Sequence, residues 1–83
     1  MPSEIKGLSV EQIGGVKLHI SAVHRFGTDA FLLADFAAPR HKDTVCDLCS
    51  GCGIVAAVMY ERFRPKSIDA VEIDREGYEL MTL

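Results

Sequence analysis

The stretch Val45-Cys46-Asp47-Leu48-Cys49-Ser50-Gly51-Cys52-Gly53-Ile54 decides how the rest of the chain is read. It runs from a short apolar strand, past an acidic residue at the strand's end and a turn with two glycines, into an apolar helix. That order puts backbone N–H groups and a helix N-terminus at the carboxyl edge of a strand, where nucleotide-like ligands bind in open α/β sheets. Cys46, Cys49 and Cys52 lie in the same stretch, so a metal reading competes with a nucleotide reading.

Working outward, residues 44–48 form the strand, 49–53 the turn and 54–63 the helix. The helix is apolar nearly all round (Ile54, Val55, Ala56, Ala57, Val58, Met59, Tyr60), which calls for burial on more than one side, as a crossover helix has. Beyond Pro65, residues 67–72 read as a second strand, parallel to the first and reached by a right-handed crossover. Asp74 caps a last helix over 75–83. Upstream, 10–13 and 16–20 are two arms of a hairpin whose Gly14-Gly15 turn supplies positive φ. Val16, Leu18 and Ile20 share the face that seeks burial. Residues 1–9 read as a loosely held lead-in. Thr28 is the expected N-cap of the intervening helix, with Asp29 suited to its dipole. Ala30, Phe31, Leu33, Ala34 and Ala37 recur at helical spacing, and Pro39 stops that helix.

The whole is a single partial α/β domain over 1–83, with a hairpin and helix in 1–43 and a ligand-binding β-α-β-α unit in 44–83. Two parallel strands and a helix are half of a doubly wound sheet. The second strand then exposes an edge, and the crossover helix lacks part of its cover. The chain reads as the first portion of something larger.

With 83 residues, 48% of them apolar and 25% charged, the composition is that of a soluble globular protein. No apolar run approaches the roughly 20 residues of a membrane span. The first residues lack the layout of a signal peptide, so a cytoplasmic setting with reduced thiols is expected. An odd number of clustered cysteines is no disulfide framework. Net charge is −3, and the acidic second half does not suggest a grip on a phosphate backbone by charge alone, so any nucleic-acid contact would come from local basic clusters.

Gly51-Cys52-Gly53-Ile54-Val55-Ala56 fits a loose dinucleotide pattern, and Glu72 stands where an acid meets ribose hydroxyls. Asp47 argues against a dinucleotide, because a carboxylate there would face the pyrophosphate. Repulsion of that kind favours a phosphate-free, cationic cofactor such as S-adenosylmethionine, with its ammonium, sulfonium and ribose. The metal reading rests on Cys46-x-x-Cys49-x-x-Cys52, which lacks the fourth cysteine of a cluster run and would need His24 or His41 to complete a zinc site. Cys46 also sits in a strand whose Val45 and Leu48 seek burial.

Asp47-Leu48-Cys49-Ser50-Gly51-Cys52-Gly53 resembles the first motif of class I S-adenosylmethionine-dependent methyltransferases, and Ala70-Val71-Glu72-Ile73-Asp74 resembles their acidic second motif. Arg25-Phe26-Gly27-Thr28-Asp29-Ala30-Phe31-Leu32-Leu33-Ala34 is similar to the segment before the first motif in the methyltransferase small-domain group. That group includes the bacterial enzymes acting on the exocyclic amine of adenine-37 in valine tRNA. The resemblance covers residues 8–83 and implies the N-terminal part of a Rossmann-like methyltransferase sheet. It implies that Asp47 and the backbone of Cys49, Ser50, Gly51 and Gly53 line the methionine end of the cofactor. Glu72 would hold the ribose and Ile73 pack on the adenine, while Thr28 and Asp29 close the site. Cys49 departs from the family's usual glycine; if φ is positive there, a Cβ costs on the order of 1 kcal/mol. The family's Asn-Pro-Pro-Tyr signature has no counterpart, since the sequence contains no asparagine and its three prolines are isolated.

Read blandly, Cys46 and Cys52 are small buried hydrophobes, and His19, His24 and His41 are surface residues. Arg62-Phe63-Arg64-Pro65-Lys66 is then a solvated helix end, though it could also face RNA. The expectation is a cofactor-binding portion of a tRNA adenine methyltransferase, inactive alone, with no metal and no membrane. Contact with tRNA would belong to the complete enzyme rather than to this stretch. Self-association or a partner chain would cover the open sheet edge. A non-catalytic subunit and a three-cysteine metal module are the competing readings.

Overall fold

Gly14-Gly15 turns the chain back on itself, pairing β1 (Ser9–Ile13) antiparallel with β2 (Val16–Ile20) in the register Ile13↔Val16 to Ser9↔Ile20. These coordinates are a computed structural model that describes residues 5–83. Of the two turn glycines only Gly14 has a positive φ, 58°, the pattern of a II′ turn, which needs it at the first position alone. Leu18 and Ile20 are buried and Val16 half-buried, as their alternation dictates. Part of the expected lead-in falls on residues 1–4, outside the described residues. The rest is not loose: Ile5 is buried in the core, and the carbonyl of Lys6 accepts from the Ala22 N–H at 2.9 Å.

Helix α1 (Thr28–Ala37) starts one residue earlier than its capping pattern suggests. Gly27 is the N-cap, Thr28 is already helical, and no side chain caps the helix; Asp29 does lie in its first turn. The buried stripe is also narrower than expected: Ala30 and Ala34 are buried and Phe31 half-buried, but Leu33 and Ala37 are exposed. Small alanines let α1 lie close against α2 (Ile54–Phe63), leaving the larger Leu32, Leu33 and Phe36 to solvent.

Strands β3 (Thr44–Leu48) and β4 (Ser67–Val71) run parallel, from Thr44↔Ser67 to Leu48↔Val71, with α2 as the crossover between them. Val45 and Ile68 pack toward the core, beside the buried Ile54, Ala57, Val58 and Met59 of α2. Helix α3 (Arg75–Met81) returns to β2 and buries Leu80 completely. The order hairpin, helix, β-α-β-α thus stands, as a small α/β arrangement of two two-stranded sheets and three helices among the described residues. The opposite face of the β3–β4 sheet has no cover: Thr44, Cys46, Leu48, Ser67, Asp69 and Val71 are all exposed. Leu48 and Cys46 therefore depart from the burial expected of them, because nothing among the described residues packs on that face.

Candidate functional site

The five residues between β3 and α2 turn the chain by placing three alternate residues in the left-handed region, Cys49 at φ 56°, Gly51 at 60° and Gly53 at 91°. Two are glycines, for which this is free. Cys49 is not, and its Cβ costs about 1–2 kcal/mol there. The turn is fastened to the neighbouring strand by the Ser50 N–H, which donates to the Val71 carbonyl at 2.9 Å. The Ser50 hydroxyl donates to Asp47 Oδ2 at 2.7 Å, so one carboxylate oxygen is fixed and the other stays available.

Because β3 and β4 end level with one another, Glu72 emerges beside the turn and reaches back across it. Ending β4 at Val71, one residue short of the expected boundary, frees its carboxylate to do so. Glu72 Oε1 accepts from the Gly51 N–H at 2.6 Å and Oε2 from the Asp74 N–H at 2.9 Å. These backbone donors, Asp74 before Gly51, hold the Glu72 carboxyl below the usual carboxylate range. Asp74 caps α3, accepting from the Gly77 N–H at 3.4 Å, and also contacts His24 Nε2 at 2.7 Å. The His24 hydrogen bond and then the Gly77 N–H lower its pKa. A third acid, Glu76 in the first turn of α3, accepts from the buried Ser21 hydroxyl at 2.7 Å.

Beside this turn lies a cleft of about 480 Å³, a size that suits a small-molecule ligand. It brings together Asp29, Asp47, Cys49, Ser50 and Gly51 from the expected site residues, adding His24, Arg25 and Phe26 from the β2–α1 connection. The other expected residues stand elsewhere. Thr28 is outside the lining, and Glu72 lies behind Gly51. Ile73 is 99% exposed, with nothing packed on it. Gly53 faces a separate apolar groove beside α3, where a Cβ would come within 3.2 Å of Met81 Cγ. His24, expected at the surface, is half-buried. Its signal was Gly77, a glycine in the first turn of a helix, which announces a close approach.

Cys46 and Cys49 are exposed, whereas Cys52 is 2% exposed in the core, where burial raises its thiol pKa. Three cysteines so divided do not surround a common point. Among the described residues no group of three His, Cys, Asp or Glu side chains is placed to hold a metal. Nor is any helix there long and apolar enough to cross a membrane.

No family model matches the chain. Curated relatives do. The chain is 38% identical over 56 residues to the tRNA1(Val) (adenine(37)-N6)-methyltransferase of Flavobacterium johnsoniae, covering 66% of this chain and 24% of that protein. It is 36% identical over 56 residues to that of Christiangramia forsetii, covering 66% and 23%. It is 36% identical over 59 residues to that of Flavobacterium psychrophilum, covering 70% and 25%. Each match thus spans about a quarter of the relative's length. Over some two-thirds of its own residues, the chain resembles a segment of the tRNA1(Val) (adenine(37)-N6)-methyltransferases.

Proposed function

We propose that this chain binds S-adenosylmethionine in the cleft beside the 49–53 turn, as the cofactor-binding portion of a tRNA adenine methyltransferase with a Rossmann-like sheet. One observation carries the reading. Two acids, Asp47 and Glu72, converge on a left-handed turn at the carboxyl ends of two level parallel strands. The cleft's chemistry agrees: Asp29 and Asp47 suit an ammonium, and Arg25 at its exposed edge suits the carboxylate of the same aminoacyl group. The backbone of Cys49, Ser50 and Gly51 would shape the methionine end, with Gly53 holding the turn through its N–H on the Ser50 carbonyl. Glu72 would take the ribose hydroxyls, because a carboxylate offers about four acceptor sites and only two are used. Ile73 would close over the adenine, with Thr28 and Asp29 on the side of α1. Bound there, S-adenosylmethionine supplies an electrophilic methyl group on a sulfonium.

The 83 residues act as one partial domain in this reading, in a cytoplasmic setting that keeps the thiols reduced. They bind the donor without transferring its methyl group. A tRNA acceptor would be held by residues this sequence does not contain, since it offers no Asn-Pro-Pro-Tyr. A second chain would cover the bare sheet face, on which Leu48 is 71% exposed.

Calorimetric titration tests the assignment. S-adenosylmethionine and S-adenosylhomocysteine should both bind, and Asp47→Asn or Glu72→Ala should weaken each about tenfold or more. A folded chain that gives no heat at millimolar ligand would sink the cofactor reading. A Glu72→Ala variant as tight as the parent would remove the ribose assignment.

A further inference from the structure

His24 stands where three separate parts of the chain meet: the β2–α1 connection, the glycine turn and the start of α3. Its ring fills space that two absent side chains leave open. A Cβ on Gly51 would lie 3.7 Å from His24 Nδ1, and one on Gly77 would lie 3.3 Å from His24 Cε1. The backbone beneath the ring is held as tightly. The His24 N–H donates to Ser21 Oγ at 3.0 Å, and its carbonyl accepts from the Ser21 N–H at 3.1 Å; Ser21 itself is fully buried.

The ring's tautomer follows from its partner. Asp74 Oδ2, which also accepts from the Gly77 N–H, has no proton to offer, so Nε2 carries the hydrogen and donates it at 2.7 Å. In the neutral ring Nδ1 is then a bare acceptor. It is the nitrogen on the Gly51 side, in a side chain that lines the cleft with Asp29, Asp47 and Ser50.

We infer that His24 is a ligand-contacting residue of this cleft: with Nε2 tied to Asp74, Nδ1 accepts a hydrogen bond from the ammonium of an aminoacyl-bearing nucleoside. The inference rests on the methyl-donor reading of the cleft. It differs from a purely structural role, in which the imidazole only spaces Gly51 from Gly77, because a spacer does not distinguish ligands with and without the amino group.

Two substitutions separate the two nitrogens. His24→Gln keeps a polar group near the position of Nε2 and loses Nδ1; His24→Asn keeps one near Nδ1 and loses the reach to Asp74. The probes are S-adenosylhomocysteine, which carries the amino group, and its desamino analogue 4-(5′-adenosylthio)butanoate, which keeps the carboxylate and lacks only that group. Both are titrated by calorimetry into chains whose folding is checked by circular dichroism. His24→Gln should weaken S-adenosylhomocysteine about tenfold, the size of one charge-assisted hydrogen bond, and leave the desamino analogue within about twofold. His24→Asn should hold S-adenosylhomocysteine within about threefold of the parent. Comparing two ligands within one variant cancels any general loosening of the site, so His24→Gln alone decides if His24→Asn does not fold. Equal loss of both ligands in His24→Gln, or loss of neither, overturns the Nδ1 contact and leaves the methyl-donor reading standing. A folded parent chain that takes up neither nucleoside overturns that reading and the contact together.

Discussion

At the scale of single residues, two positions in the site carry opposite and unobvious signs. Cys49 sits at φ 56°, where a Cβ costs about 1–2 kcal/mol, whereas a glycine there would lose about 0.5–1 kcal/mol in unfolded-state entropy. Strain wins, so Cys49→Gly should raise stability by up to about 1 kcal/mol, and Cys49→Ala, which keeps the Cβ, should change it little. Urea denaturation of the three proteins checks this, and equal midpoints for the glycine and alanine variants would refute the strain. Gly77 is the reverse case. Helix propensity favours alanine at this buried position by about 1 kcal/mol. The new Cβ, however, would meet Glu72 Cγ at 2.8 Å and the Gly51 carbonyl oxygen at 3.0 Å. Backbone cannot yield there, and Glu72 can move only by releasing the Gly51 N–H. Gly77→Ala should therefore destabilise by about 1–3 kcal/mol despite its better propensity, measured in the same urea series.

At the scale of elements, α3 is held to the turn by carboxylates, so its docking should depend on pH. Glu72 and Asp74 both have folded-state pKa values below the ordinary range, through the backbone donors on one and His24 and Gly77 on the other. A depressed carboxylate pKa means that the unfolded chain binds protons first. The stability these groups contribute is complete above about pH 5 and is lost as the pH falls below about 4, through their folded values. Hydrogen exchange at the Gly51 and Asp74 amides should show the protection disappearing over that window. Glu72→Gln should flatten the dependence at both amides; an unchanged profile in that variant would assign it to other groups, such as Asp43 beside Arg40. Much of this element was legible in the sequence, because Asp74 followed by a polar first turn states its own cap. The start of α1 was not. Thr28 has the chemistry of an N-cap, but Gly27 takes the position and no side chain caps the helix. Likewise Glu72 was legible as an acid twenty-one residues after Gly51, but its bond to the Gly51 N–H was not, since that contact exists only once the strands lie level.

At the scale of the whole molecule, element order could be read, and the strands to within a residue, because alternation in β2 and the apolar run of α2 are strong local patterns. Burial could not be read in the same way. Cys46 and Leu48 have the residue types of a sheet interior, and nothing along the chain says that one sheet face stays bare. The consequence is testable. A chain this short buries only about 60–65% of its unfolded surface. Here Leu48 is 71% and Val71 47% exposed on one sheet face, and Leu32 and Phe36 of α1 are 65% and 90% exposed. Exposed apolar surface on a two-stranded sheet is what drives edge and face association. Sedimentation velocity should show an average mass that rises with protein concentration. Leu48→Lys with Val71→Lys should abolish the rise while leaving the unfolding midpoint of dilute protein within about 0.5 kcal/mol, as expected of side chains that bury little. A parent chain that stays monomeric at all concentrations would mean that the bare face is tolerated in water. A double variant that unfolds instead would mean that these two residues belong to the core of the folded chain.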